Sequence, residues 1–255
     1  MRVALVQLDT VWEDPARNHA RAGELLSWAR EAGAELAVLP EMFATGFSLS
    51  PGPTAQPEGG PTEAWLSSEA ARLGMAIVAG VAVAREPLPA NEALLVRPGG
   101  RVERYAKLHP FSFAGEERVF APGSRVVTWE LSGLRLTPLV CYDLRFPEPF
   151  RLAADGTDAY VVIANWPDKR RGHWRTLLRA RAVENLAYVL GVNRVGEGGG
   201  LRYAGDSAVV SPWGEELASA EGVETVLVAD LDPHSVAEAR AGFPALSDRR
   251  PAYTR

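Results

Sequence analysis

The chain has 255 residues, of which 47% are hydrophobic and 23% charged, a globular composition with enough apolar side chains for a large core. Its formal net charge of −5 argues against nucleic acid or an anionic membrane surface as the main partner. The single cysteine, Cys141, excludes an internal disulfide and is typical of the reducing cytoplasm. Lysine is rare, because Lys107 and Lys169 are the only lysines among 27 basic residues.

Sequence patterns also exclude several kinds of segment and site. The N-terminal apolar run reaches Asp9 too soon for a signal peptide, and no stretch approaches the ~18 apolar residues of a membrane span. The four histidines are far apart and have no cysteine partners, so we expect no zinc site of the usual kind. The cysteine chemistry inferred below needs no metal and no organic cofactor. Residues 196–200 (GEGGG) predict a flexible hairpin loop rather than a phosphate-binding site.

In the first half of the chain, apolar runs and helical periodicity predict strands and helices in alternation. Strands are predicted at residues 2–8, 36–39, 75–84, 91–96 and 101–105. Helices are predicted at residues 15–32 and 62–73, and Asp14 and Pro15 occupy the N-cap and first position of the earlier helix. Residues 51–60, rich in proline and glycine, predict a surface loop.

The second half continues the pattern, with strands predicted at residues 126–131, 134–140, 159–164, 188–192, 207–210, 216–218 and 225–230. Helices are predicted at residues 148–154, 174–186 and 233–240, the last capped by Asp232. Pro138 predicts an edge or a bulge in its strand. Hairpins mixed with alternating segments favour a layered α/β fold with two mixed sheets and outer helices, and we expect residues 1–255 to form one domain.

Three residues of catalytic type each follow directly on a predicted strand. Glu41 follows residues 36–40, Lys107 follows residues 101–106, and Cys141 follows residues 134–140. Strand ends are where a rigid backbone delivers side chains to a shared cleft. Taken singly, these residues would be a solvated loop acid, a surface charge and a small buried hydrophobe. Taken together, they predict a site.

The chemistry of the set supports this prediction. A free thiol is only a few per cent thiolate at neutral pH, so a nucleophilic cysteine needs help. An ammonium group stabilises the thiolate, and a carboxylate can accept its proton and later donate it to a leaving amine. A second carboxylate nearby, from Glu116 or Glu117, would favour the protonated form of the first by like-charge repulsion. A distant histidine that approaches Cys141 in space remains an alternative.

The segments 40–43 (PEMF), 107–111 (KLHPF) and 140–148 (VCYDLRFPE) resemble, in this order, the three catalytic segments of the nitrilase (carbon–nitrogen hydrolase) superfamily. Further segments, among them 164–167 (ANWP) and 180–185 (ARAVEN), extend the likeness from about residue 2 to about residue 245. The chain is most similar to the bacterial omega-amidase branch. This resemblance implies a four-layer α-β-β-α sandwich, nitrilase-like, whose members commonly pair into homodimers.

The resemblance also implies roles for individual residues. Cys141 matches the nucleophile, Glu41 the general base and acid, and Lys107 the cation that faces the oxyanion. Glu116 matches an additional glutamate that many members carry. With these roles the enzyme would hydrolyse a small-molecule amide through a cysteine thioester. We expect the backbone N–H of Tyr142 to be a second oxyanion donor.

The substrate implied by this branch is the monoamide of a small dicarboxylic acid, such as 2-oxoglutaramate. Arg145 is a candidate for binding its free carboxylate, although a salt bridge with Asp143 or Glu148 would explain Arg145 equally well. Trp166 could line the pocket or simply pack. Hydrolysis of an N-carbamoyl amino acid, deaminated glutathione or a nitrile remains an alternative, as does a catalytically silent binding or scaffold protein.

Overall fold

The computed structural model describes residues 1–250, which form two mixed β-sheets and flanking helices. The strands are β1 (Arg2–Gln7), β2 (Leu36–Val38), β3 (Ala76–Val83), β4 (Ala90–Val96), β5 (Val102–Ala106), β6 (Trp129–Leu131), β7 (Leu134–Val140), β8 (Ala159–Ala164), β9 (Tyr188–Asn193), β10 (Val195–Gly198), β11 (Leu201–Val210), β12 (Glu216–Glu221) and β13 (Thr225–Asp230). The helices are α1 (Pro15–Glu31), α2 (Pro51–Thr54), α3 (Pro61–Leu73), α4 (Pro147–Ala153), α5 (Arg171–Asn185) and α6 (Pro233–Gly242).

The first sheet has the strand order β13-β1-β2-β3-β4-β5. Strands β1, β2 and β3 are parallel, and the pairings at both edges are antiparallel. The second sheet has the order β10-β11-β9-β8-β7-β6, with β12 paired to β11. Its centre, β7-β8-β9, is parallel and the remaining pairings are antiparallel. Both sheets are therefore mixed, as the sequence predicts.

Side chains alternate between two cores along the first sheet. Val3 and Leu5 of β1 point into a core shared with the second sheet, whereas Ala4 and Val6 pack beneath α1 and α3. This alternation follows from the two-residue period of a strand. Helix α5 packs on the second sheet through its contacts with β9 and β11. The order of layers is helix, sheet, sheet, helix, which confirms the predicted four-layer sandwich.

The structure corrects some predicted elements. Residues 51–54 form the short helix α2 instead of a loop, because Pro51 starts the helix and the Thr54 hydroxyl donates to the Ser50 carbonyl at 2.8 Å. Helix α5 begins at Arg171, three residues before the predicted start, and β11 begins at Leu201 rather than residue 207. The glycine-rich hairpin is tighter than predicted, since residues 195–198 already belong to β10.

Other local predictions agree with the structure. The carboxylates of Asp14 and Asp232 cap α1 and α6 by accepting backbone N–H groups, as predicted. At Pro138 the strand β7 has only β8 as a neighbour, since pairing with β6 ends at Leu136. Pro138 therefore lies at an edge position, and the register with β8 runs through it without a bulge. None of the helices formed by residues 1–250 is long and apolar enough to cross a membrane.

Candidate active site

The three predicted site residues meet where the two sheets face each other. Glu41 and Lys107 follow β2 and β5 of the first sheet, and Cys141 follows β7 of the second. The Lys107 ammonium lies 3.0 Å from Glu41 Oε1 and 2.8 Å from Glu116 Oε2. All three of these charged side chains are buried, with exposed fractions of 1% for Lys107 and 0% for both glutamates. The structure thus brings together charges that are 66 residues apart in sequence.

Glu41 is fixed from several sides. Its Oε1 accepts a hydrogen bond from Asn91 Nδ2 at 2.8 Å, and its Oε2 accepts one from the backbone N–H of Asn165 at 2.9 Å. The backbone of β3 passes so close that a Cβ at Gly80 would lie 2.4 Å from the Glu41 Cα. Only glycine permits that approach. The carboxylate therefore has one well-defined position.

Glu116, and not its neighbour Glu117, is the second carboxylate of the site. Glu116 Oε1 accepts from Asn91 Nδ2 at 2.9 Å, and Oε2 accepts from the backbone N–H of Phe111 at 2.5 Å. Glu117 is exposed and lies near Arg118 instead. The two buried carboxylates share one ammonium and one amide, so the Lys107 charge is more than balanced.

Cys141 sits on a turn with unusual backbone geometry. Its φ of 45° is in the left-handed region, which is strained for a residue other than glycine. Asp143 stabilises this turn, because its carboxylate accepts the backbone N–H of Val140 at 3.0 Å and the Tyr105 hydroxyl at 2.8 Å. The Cys141 side chain is partly exposed, and its Sγ lies 3.9 Å from the Asn165 carbonyl.

The electrostatics of the cluster are set by burial and by the excess of negative charge. Burial alone would lower the pKa of Lys107, but the charges of Glu41 and Glu116 outweigh it and hold the pKa above its usual value. Burial raises the pKa of the Cys141 thiol, and the Glu41 charge raises it further against the opposing effect of Lys107. At neutral pH the cluster therefore contains a protonated thiol and a charged ammonium.

This arrangement predicts the titration of the thiol. Cys141 is the single cysteine, so the ultraviolet absorbance of thiolate, taken as wild type minus Cys141→Ser, reports this residue alone. We expect the midpoint above 9.0, the ordinary value for a thiol, because the folded site disfavours the thiolate. A midpoint below that value would mean that Lys107 outweighs the carboxylates.

Cys141 opens into a cavity of about 300 Å³. The three residues predicted to bind substrate, Tyr142, Arg145 and Trp166, all line it. The other lining residues come from several distant segments: Trp12, Phe47, Leu49, Lys107, Phe111, Ala114, Asn165, Pro167, Arg170, Gly199, Leu201 and Tyr203. Most of these walls are apolar, and the polar groups lie around Cys141 and at the partly exposed arginines.

Arg145 does not make the salt bridge that was one interpretation of its sequence. Among residues 1–250 no carboxylate oxygen lies within 4 Å of its guanidinium. The guanidinium instead stacks 4.7 Å from the centre of the Trp166 ring, and its Nη2 donates to His173 Nδ1 at 3.2 Å. Trp166 both packs and lines the cavity, because it is 3% exposed and its Nε1 donates to the Arg170 carbonyl at 2.8 Å.

Sequence reasoning missed two asparagines. Asn165 directly follows β8, so its place at a strand end was a usable signal. Asn91 lies inside β4, where no sequence signal marks it as a site residue. It reaches the site because β4 pairs with β5, which leads to Lys107. The interpretation of a distant histidine partner finds no support, since no histidine of the described chain lines the cavity. His109 bonds Asp143 at 2.8 Å instead.

Comparison with known proteins identifies the family. The family described as carbon-nitrogen hydrolase matches residues 2–241. The chain belongs to the carbon–nitrogen hydrolase family. It is a hydrolase that acts on carbon–nitrogen bonds. No group of histidine, cysteine and acidic side chains among residues 1–250 has the arrangement to hold a metal ion.

Relatives within this carbon–nitrogen hydrolase family match nearly the whole chain. The omega-amidase YafV of Escherichia coli (strain K12) is 38% identical over 250 residues, covering 97% of this chain and 96% of that protein. The 2-oxoglutaramate amidase of Bacillus subtilis (strain 168) is 31% identical and covers 97% of both chains.

Solved structures of this family superimpose on nearly the whole chain. A CN-hydrolase superfamily protein of Xanthomonas campestris, with an arsenic adduct in its active site, superimposes with a TM-score of 0.94 at 40% identity, covering 100% of this chain and 99% of that one. A variant of the amidase of Nesterenkonia sp. AN1 gives a TM-score of 0.87 at 30% identity, covering 98% of this chain and 94% of that one. That amidase carries the acetamide moiety of fluoroacetamide covalently at its active-site cysteine.

Proposed function

We propose that this protein is an omega-amidase, which hydrolyses the terminal amide of a small dicarboxylic acid monoamide such as 2-oxoglutaramate to the acid and ammonia. The observation that carries the proposal is the buried cluster in which Lys107 lies within 3.0 Å of Glu41 and Glu116 beside the Cys141 cavity. The relatives named omega-amidase and 2-oxoglutaramate amidase support the choice of substrate.

The first half of the reaction forms a thioester. Glu41 accepts the proton of the Cys141 thiol as the sulfur attacks the amide carbon, and the carbonyl oxygen becomes an oxyanion. Lys107 and the backbone N–H of Tyr142 stabilise that charge, and each such donor is worth roughly 10²–10³ in rate. Glu41 then donates its proton to the departing nitrogen, which leaves as ammonia when the C–N bond breaks.

The second half releases the acid. Water enters the place that ammonia vacated, Glu41 accepts a proton from it, and the hydroxide adds to the thioester carbon. The tetrahedral intermediate collapses with cleavage of the C–S bond, and the proton held by Glu41 returns to the sulfur. The raised pKa of the thiol fits this sequence, because the cysteine then starts and ends each cycle as the neutral thiol.

The remaining features of the proposal concern the whole chain. We place residues 1–255 in a single carbon–nitrogen hydrolase domain, supported by the match over residues 2–241. A homodimer is supported by an apolar patch in which the half-exposed Val183 lies against Gly214, next to Trp213, which is 57% exposed. One free cysteine and no disulfide suit the cytoplasm.

The test is product release measured in parallel: ammonia from 2-oxoglutaramate, glutamine, an N-carbamoyl amino acid and a simple nitrile, and the cysteinylglycine dipeptide from deaminated glutathione. We expect the highest kcat/KM for 2-oxoglutaramate. Activity confined to the nitrile would overturn the reaction class. A higher kcat/KM for the carbamoyl compound or for deaminated glutathione would make that compound the proposed substrate in place of 2-oxoglutaramate. A chain that releases product from none of them would be a silent member of the family.

A further inference from the structure

Two arginines at the cavity have no acidic partner. Arg145 and Arg170 both line the cavity and are both partly exposed. Within residues 1–250, neither guanidinium has a carboxylate oxygen within salt-bridge distance. Neighbouring Arg171 shows the contrast, since it pairs with Asp206 at 2.7 Å and with Glu221 at 3.2 Å. Apart from Arg145 Nη2, which donates to His173, the guanidinium N–H groups of the two arginines are therefore available to a ligand in the cavity.

Aromatic rings hold the two guanidiniums in place. The Arg145 guanidinium lies 4.7 Å from the centre of the Trp166 ring and 6.0 Å from that of Tyr142. The Arg170 guanidinium lies 5.4 Å from the Phe111 ring, and Phe111 packs on Tyr142 with 4.8 Å between ring centres. The Trp166 Nε1–H bond to the Arg170 carbonyl at 2.8 Å closes this ring of contacts. Stacking of this kind orients a guanidinium and leaves its N–H edge free.

The charge around the cavity is unbalanced. Burial lowers the pKa of Arg145, and the positive charge of Arg170 lowers it further. The third cation of the cavity, Lys107, is already paired with Glu41 and Glu116, so it adds no free positive charge to that of the two arginines. An anion between the two guanidiniums would remove their mutual repulsion as well as pair with each of them.

We propose that Arg145 and Arg170 form a two-guanidinium clamp that binds the carboxylate at the end of the substrate opposite its amide, and that Arg170 is a specificity-determining residue. The inference rests on the proposed function, because it assigns the two ends of an omega-monoamide to two ends of one cavity. The amide reaches Cys141 and Lys107, and the carboxylate stays at the clamp.

The same clamp disfavours amino acids. The cavity lining within the described chain contains three cations and no aspartate or glutamate. An α-ammonium group beside the bound carboxylate would therefore face Arg145 and Arg170 without an acidic partner. A 2-oxo group at that position is an acceptor instead, and it can take an N–H of the clamp. The clamp thus selects an oxo acid over the corresponding amino acid by repulsion as well as attraction.

The test compares two amides that differ in one end. Glutaric acid monoamide carries the carboxylate, and pentanamide ends in a methyl group. The ratio of their kcat/KM values is measured in wild type, in Arg170→Gln and in Lys169→Gln, the control. Lys169 is exposed and adjacent in sequence, so the control removes the same charge outside the cavity. We expect the ratio to fall about 10- to 100-fold in Arg170→Gln, the range for losing a charge-assisted pair, and to stay within about twofold in the control.

A second measurement separates the clamp from the amidase activity. Calorimetric binding of glutarate needs no turnover, and we expect Arg170→Gln to weaken it by a similar factor while Lys169→Gln does not. Equal losses on both amides, or unchanged glutarate affinity in folded Arg170→Gln, would overturn the clamp and leave the amidase proposal standing. Glutarate binding that depends on Arg170 without ammonia release from any amide would overturn the amidase proposal alone.

Discussion

Replacement of Cys141 by alanine is expected to reduce ammonia release from an omega-monoamide by at least about 10⁴-fold, the scale seen when a nucleophile is removed. The loss follows because Glu41, Lys107 and Glu116 can polarise an amide but cannot form the thioester. The measurement is steady-state ammonia production by Cys141→Ala beside wild type, on protein freshly purified from a host without background amidase activity.

The same variant is expected to keep its fold and its ligand. Cys141 is partly exposed and small, so alanine removes little packing, and Asp143 still caps the turn through the Val140 N–H. Thermal unfolding near the wild-type temperature and calorimetric binding of the intact amide would establish this. Substantial ammonia release by folded Cys141→Ala would contradict the assignment of Cys141 as the nucleophile.

Sequence reasoning identified three residues that the structure brings together, because they share one signal. Glu41, Lys107 and Cys141 each follow a strand, and a strand end fixes where a side chain goes more firmly than any loop does. Short apolar runs bounded by turn residues likewise made most strands of the two sheets predictable. Local patterns were sufficient for both.

What sequence reasoning missed depends on contacts between distant segments. Asn91 joins Glu41 to Glu116 only because β4 lies in the sheet between β2, which precedes Glu41, and β5, which precedes the turn that holds Glu116, and no local pattern records that. Glu116 and Glu117 are also equivalent by composition. Glu116 is buried and Glu117 exposed because the short turn around Phe111 points the Glu116 carboxylate inward. The roles of these residues in turnover stay predictions.

The second large effect is expected from Lys107→Met, which leaves two buried carboxylates without their cation. Removing one partner of a buried ion pair typically costs about 3–5 kcal/mol of the free energy of unfolding, and the loss of one oxyanion donor lowers kcat by roughly 10²–10³. Lys169→Met is the matched control, because that lysine is exposed and outside the cavity. Chemical unfolding of both variants, with ammonia release at saturating substrate, measures the two effects.

The pH dependence of the Lys107→Met variant distinguishes lost charge from lost packing. Without the ammonium, Glu41 and Glu116 repel each other in a buried site, so the folded variant is expected to hold a proton that the unfolded chain has released. Its stability relative to wild type should therefore improve as the pH falls from neutral toward mildly acidic. A deficit that stays constant with pH would point to packing. Adding Glu116→Gln should restore much of the stability at neutral pH without restoring kcat, because that change removes the repulsion but supplies no cation for the oxyanion.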